Sequence, residues 1–331
     1  MSLNPSARGA FFALLAFAIY SSHDVIVKWL GESYSALQII FFSTLFGFPV
    51  ITVMLMRDRT DGNLRPRHPW LVLLRTAATV ISTALAFYAF STLPMAQTYA
   101  IIFASPLLIT LLAIPVLGER VGWRRSLAVG VGLLGVLVVL RPGSTTFEAG
   151  HFAALAAAVG SAGAAVIVRK IGAEERSAVL LLYPMMANFL VMGVAMPFVY
   201  VPMPLLHLAG TAMIAVMAFV AALVHIHAYR AASASVVAPM QYSQILWAVL
   251  FGALFFGETP DWNTAVGAVI IIASGIYVVF REERLPATSA RPVLRTQTRY
   301  IMGTMPRISA LIRTIRKGQA ADGDAAVTAE P

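Results

Sequence analysis

Val25-Ile-Val-Lys-Trp-Leu-Gly31 returns 141 residues later (25 to 166) as Val166-Ile-Val-Arg-Lys-Ile-Gly172. A second match, 139 residues apart (117 to 256), pairs Leu117-Gly-Glu119 with Phe256-Gly-Glu258 and Trp123 with Trp262. The chain is therefore two copies of one unit, and most of what lies between the matches is apolar. If each copy holds an odd number of membrane spans, the second copy must enter the bilayer upside down. Inverted duplications of this kind place a solute site near the bilayer midplane, where the copies meet.

The composition demands lipid as the solvent. Hydrophobic residues make up 59% of the 331 residues and charged ones 12%, about half the roughly 25% charge usual in soluble domains. That leaves too little polar surface to cover soluble domains, whereas membrane helices satisfy their backbone groups internally. Ten apolar stretches are each close to the roughly 20 residues that cross a hydrocarbon core. They run over 9–29, 35–56, 70–90, 96–117, 126–140, 151–168, 178–199, 208–229, 236–256 and 263–280. Pro66, Pro69, Pro94, Gly118, Pro142-Gly143, Pro202, Pro204 and Pro260 punctuate the connections. No stretch alternates with the period of two that a barrel strand needs.

The formal charge of +9 is distributed as a membrane protein's, and nucleic acid is not an expected partner. With the N-terminus in the cytoplasm, that side receives Arg8, Arg57, Arg59, Arg65, Arg67, Arg120, Arg124, Arg125, Arg169, Lys170, Arg176, Arg230 and the basic tail. The opposite side receives only Lys28 and Arg141, with Arg75 inside a span. The positive-inside rule then puts both termini in the cytoplasm. The expected setting is multi-pass in a bacterial inner (plasma) membrane. Arg8 and the apolar run to Ala18 imitate a signal peptide, but the same pattern recurs mid-chain as the sixth span, so the first segment is read as a permanent helix. The tail, 282–331, is basic. Its segment 299–317 has helical spacing suited to anionic lipid, against which stands a simply disordered tail, since Pro306 interrupts the pattern.

Ser105-Pro-Leu-Leu, Leu117-Gly-Glu-Arg120, Trp123, Gly130 and Leu133-Leu-Gly-Val136 resemble the hallmark of the EamA-type drug/metabolite transporters. A weaker second copy is Ala238-Pro-Met, Phe256-Gly-Glu258, Trp262 and Gly267-Ala-Val269. The resemblance implies an all-α integral membrane protein of ten transmembrane helices. Two inverted five-helix repeats, 9–140 and 151–281, would surround a central cavity and carry small organic solutes. Ser21-Ser-His-Asp-Val-Ile-Val-Lys28 more loosely resembles the branch with S-adenosylmethionine and riboflavin carriers.

Ionisable and polar groups at membrane depth are the candidates for solute contact. Tyr20, Asp24 and Lys28 share one face of the first span with His23 beside them, and Asp24 precedes Lys28 in the order that favours an ion pair. Against a cavity role stands the snorkelling of Lys28 to the interface, with Asp24 as its counter-ion. The second copy has Ala164 and Ala165 where the first has His23 and Asp24, so the repeat itself does not require polarity there. In the eighth span, His225 and His227 project about 200° apart and cannot share a narrow cavity. His225 lies with Ala221, Ala222 and Tyr229. The fourth and ninth spans supply Tyr99 and Phe103, and Gln241, Tyr242, Gln244 and Trp247, an aromatic and amide lining typical of a small-molecule site; interhelical hydrogen bonding is the plainer alternative.

His23, Asp24 and His225 are the candidates for proton coupling. No metal site and no cofactor is expected. Arg75 is expected to snorkel, and Glu119 and Glu258 to follow helix-capping glycines and favour the next helix. The solute is expected to be aromatic or nucleoside-like, of the riboflavin or S-adenosylmethionine type. An amino-acid or drug exporter of the same fold is the alternative. An intramembrane enzyme built on Gly160-Ser161-Ala162-Gly163 lacks partners for its serine, and a channel lacks a charged ring or filter repeat.

Overall fold

The computed structural model describes residues 5–56, 64–118, 121–141, 148–172, 174–232 and 234–283. Glu119, the segment 299–317 and the tail beyond Glu283 lie outside the described residues. The chain is all-helical there: α1 (Pro5–Gly31), α2 (Ala36–Met56), α3 (Pro69–Thr92), α4 (Met95–Ile102), α5 (Ser105–Leu117) and α6 (Trp123–Leu140) form the first half. The second half comprises α7 (Ala149–Ile171), α8 (Ser177–Val199), α9 (Leu205–Ala231), α10 (Ala234–Val237), a 3-10 turn (Ala238–Tyr242), α11 (Ser243–Phe256) and α12 (Trp262–Glu283). Among the described residues nine segments are long and apolar enough to cross a membrane, and α2 supplies a shorter apolar stretch, Ala36–Pro49. Together they make ten spans, five to each copy.

The packing shows the inversion directly. α1 lies on α9, and its counterpart α7 lies on α3; α1 meets α11, and α7 meets α4 and α5. The pairs α2 with α8 and α6 with α12 each join a helix to its own counterpart. Exchanging the two copies maps each of these interfaces onto another or onto itself, as a pseudo-two-fold axis requires. The exchange holds for single residues too. A Cβ on Gly9 would collide with Ala232 of the turn after α9, and one on Gly150, 141 residues on (9 to 150), with Leu93 of the turn after α3. Small residues allow this close approach, and close approach drives helix association in lipid.

Two spans expected to be continuous are broken. The fourth divides into α4 and α5 at Phe103-Ala104, and the ninth passes through the 3-10 turn into α11 after Tyr242. The breaks are equivalent, since 103 + 139 = 242. Proline explains both: Pro106 opens α5 and Pro239 lies in the 3-10 turn, and neither supplies the N–H that a continuous helix needs. Broken helices near the midplane turn backbone and side chains toward a cavity. Both copies then end the span in the same way, on Gly118 and Gly257 with φ of 68° and 64°. This left-handed cap fits glycine, so the repeated Gly-Glu pair is a helix stop.

Arg75 corrects an expectation. It does not snorkel: it is 3% exposed and its Nη1 donates to the carbonyl of Leu180 in α8. That carbonyl's helical donor would be residue 184, which is proline. The guanidinium therefore replaces a hydrogen bond that Pro184 cannot make.

Candidate solute-binding site

The site forms where α1, α4 and α11 meet. Tyr99, one turn before the α4 break, donates its phenol hydrogen to Asp24 Oδ2. His23 Nδ1 lies 2.7 Å from the other oxygen, Asp24 Oδ1. Gln244, in the first turn of α11, donates from Nε2 to the Tyr99 oxygen at 3.1 Å, and Ser21 Oγ lies 3.4 Å from that oxygen. One hydrogen-bonded chain thus runs from the first copy into the second through the two broken helices. His23, Tyr99 and Gln244 are buried, while Asp24 keeps 15% of its side chain accessible.

Aromatic rings continue from this chain. Phe90, Tyr99, Phe103 and Tyr242 follow one another at centroid separations of 5.1, 5.6 and 5.5 Å. Edge-on and tilted contacts of this kind give rigid apolar walls. Gly275 on α12 makes the room for Tyr242, because a Cβ there would strike the phenol oxygen.

The other sequence candidates are placed elsewhere. Tyr20 packs with Phe17 and His225, and His225 also meets the Tyr229 ring at 5.0 Å. This is a second aromatic cluster, between α1 and α9, on the N-terminal side of His23 along α1. His227 lies outside this cluster, its ring centroid 6.2 Å from that of Phe12, and approaches the carbonyl of Leu223. Gln241 is buried in the 3-10 turn, and Trp247 stacks on Phe251 at 5.7 Å along α11. Ser161 meets Ser105 Oγ at 2.9 Å and Gly160 approaches Ser82, so that motif is helix packing.

Lys28 departs from its expected partner. Its ammonium pairs with Glu258 at 2.8 Å, donates to the carbonyl of Leu93 at 2.6 Å and sits 5.3 Å from the Phe256 ring centroid. The favourable helical spacing to Asp24 loses to a partner that meets it with the carbonyl of the α3–α4 turn and a ring face. Glu258 in turn accepts the backbone N–H of Met95 at 2.9 Å. It therefore caps α4 across the copy boundary, and Asp261 is the residue that caps α12, accepting from Thr264 N–H at 3.1 Å. This clasp fastens α1, the α3–α4 turn and the α11–α12 turn at the end of the bundle opposite the N-terminus. Beyond it opens a cavity of about 410 Å³ lined by Gln97, Arg141, Glu148, His151 and Asp261, with Arg141 paired to Asp261.

The profile of the EamA-like transporter family matches residues 7–141 and again 148–281. The chain belongs to the EamA-like transporter family. Curated relatives of this EamA-like chain have different cargoes in their names. It is 25% identical over 288 residues to an S-adenosylmethionine uptake transporter of Rickettsia prowazekii, covering 86% of this chain and 96% of that one. It is 27% identical over 281 residues to a pseudopaline exporter of Pseudomonas aeruginosa, covering 83% and 97%. It is 27% identical over 301 residues to a riboflavin transporter of Rhizobium johnstonii, covering 87% and 97%. One solved crystal structure, 19% identical, superposes on 86% of this chain and 99% of its own with a TM-score of 0.56, a likeness of fold. The EamA-like chain is a multi-pass membrane transporter of a small metabolite.

Proposed function

We propose that the chain carries its metabolite by alternating access, the two copies rocking about a midplane site built on Asp24, His23, Tyr99 and Gln244. The observation that carries this reading is the hydrogen-bonded chain from Asp24 through Tyr99 to Gln244. It joins both copies at the two broken helices, where a change in one copy's tilt alters the site directly. The aromatic row from Phe90 to Tyr242 supports a solute with a flat ring system, of the S-adenosylmethionine or riboflavin type. The Phe17–Tyr20–His225 cluster lines the approach from the side of the N-terminus. The chain sits in a bacterial inner membrane with both termini in the cytoplasm, so the Lys28–Glu258 clasp closes the outer end.

Asp24 and His23 are the groups that take up a proton during the cycle, with His225 on the inner approach. The test is uptake of labelled metabolites, S-adenosylmethionine and riboflavin among them, by vesicles holding the purified chain, with and without a proton gradient. Saturable flux accelerated by the same solute on the far side is expected. Asp24→Asn should abolish accumulation driven by the gradient. Intact accumulation in both Asp24→Asn and His225→Ala would leave facilitated diffusion as the mechanism.

A further inference from the structure

The hydrogen-bond polarity of the site is fixed by a single residue. An ionised Asp24 only accepts, so both groups that touch it must donate. His23 then carries a hydrogen on Nδ1, and in the neutral ring Nε2 is a lone-pair acceptor. Tyr99 spends its one hydrogen on Asp24, so its oxygen must accept from Gln244. That requirement sets the Gln244 amide, nitrogen toward Tyr99 and Oε1 away from it. His23 Nε2 and Gln244 Oε1 are both buried, and neither meets a donor from the protein. A buried acceptor without a donor costs about 1–3 kcal/mol, and both belong to side chains of the network built on Asp24.

Charge points the same way. Among the described residues no lysine or arginine nitrogen lies within ion-pair distance of Asp24, because Lys28 is spent on Glu258. The Coulomb attraction that a lysine would have satisfied is available to a ligand. From the carboxylate and the two unmatched acceptors, we infer that the site recognises a cationic group with several N–H donors, such as an ammonium or amidinium, on a solute whose apolar part lies along the Tyr99–Phe103–Tyr242 rings. A neutral flat molecule satisfies the rings alone. This inference deepens the carrier reading and rests on it.

Binding and counterflow of two probes, S-adenosylmethionine and riboflavin, test it on the full chain in vesicles. The first carries a sulfonium, an ammonium and an amino group; the second is neutral. S-adenosylmethionine is expected to bind at least about tenfold more tightly. Its affinity should fall about tenfold or more in His23→Phe and in Gln244→Met, each of which deletes one acceptor. His23→Gln keeps both a donor for Asp24 and an acceptor oxygen and should recover part of the loss seen in His23→Phe, and thermal unfolding of every variant separates lost binding from lost fold. Equal affinity for the two probes, or S-adenosylmethionine affinity indifferent to both deletions in folded protein, overturns the donor-recognition inference while the carrier reading stands. If neither probe nor any other metabolite shows saturable counterflow, the carrier reading itself falls and takes this inference with it.

Discussion

Tyr99 holds the site together because its single hydroxyl does two things at once, giving its hydrogen to Asp24 and taking one from Gln244. Tyr99→Phe keeps the ring and its contacts with Phe90 and Phe103, but leaves a part-buried carboxylate oxygen and a buried amide each short of a partner. The expected result is a loss of about 1–3 kcal/mol in stability, read from the shift in unfolding temperature in detergent, together with weakened solute binding. Gly275 supports the same wall by what it lacks. Gly275→Ala should push Tyr242 off the edge of Phe103 and lower solute affinity, whereas Ala at the unobstructed Gly163 should leave affinity unchanged.

At the scale of elements, Lys28 and Glu258 bind helices of opposite copies with side chains only 10% and 20% exposed. Lys28→Met strands a part-buried carboxylate and is expected to lower the unfolding temperature, a loss most of which the double variant Lys28→Met with Glu258→Gln should recover. Arg75 and Pro184 allow a second cycle. Arg75→Leu leaves the Leu180 carbonyl without a donor, but in a Pro184→Ala background the restored helical N–H takes its place. The cost of Arg75→Leu should therefore be smaller there, and additive costs in unfolding would refute the assignment. These clasps also show what was legible beforehand. The ten spans, the motif glycines and the polarity of Asp24 follow from hydropathy and repeat spacing, which are local. The clasp partners are set by which turns meet across the copies, and helical spacing alone pointed Lys28 to Asp24. A signal was nevertheless present: Lys28 has Arg169 and Glu258 has Glu119 at equivalent positions, while His23 and Asp24 face two alanines. Charge present in both copies belongs to the scaffold in the case of Lys28 and Glu258, whereas His23 and Asp24, polar in one copy only, are the residues proposed for the site. The local break was not legible either: Gln241 sits in a 3-10 turn next to Tyr242, and Trp247 stacks on Phe251 along α11.

For the whole molecule, the two ends of the bundle are distinguishable by chemistry as well as by connectivity. One end gathers Gly31 against Ser91, Gln38 on Val201 and Lys28 on Glu258. The other gathers His68 on Glu174 and Glu175, and it is the end toward which the loops rich in arginine run. Moving that arginine-rich end across the membrane during insertion is disfavoured, so it should remain cytoplasmic, and the two copies should be held in opposite orientations by the same rule. Because the chain has no cysteine, single cysteines report side without background. Introduced at Ser91, Pro202 and Asp261 they should react with an impermeant maleimide in intact cells; at Glu174 and Ser177 they should react only after permeabilisation. The three outer positions lie in the last turn of α3 and in the loops after α8 and α11, so labelling at all three requires opposite insertion of equivalent helices. Labelling of Glu174 or Ser177 variants in intact cells would reverse the assignment of outer clasp and inner approach, and with it the order in which a solute meets Lys28–Glu258 and the Asp24 network.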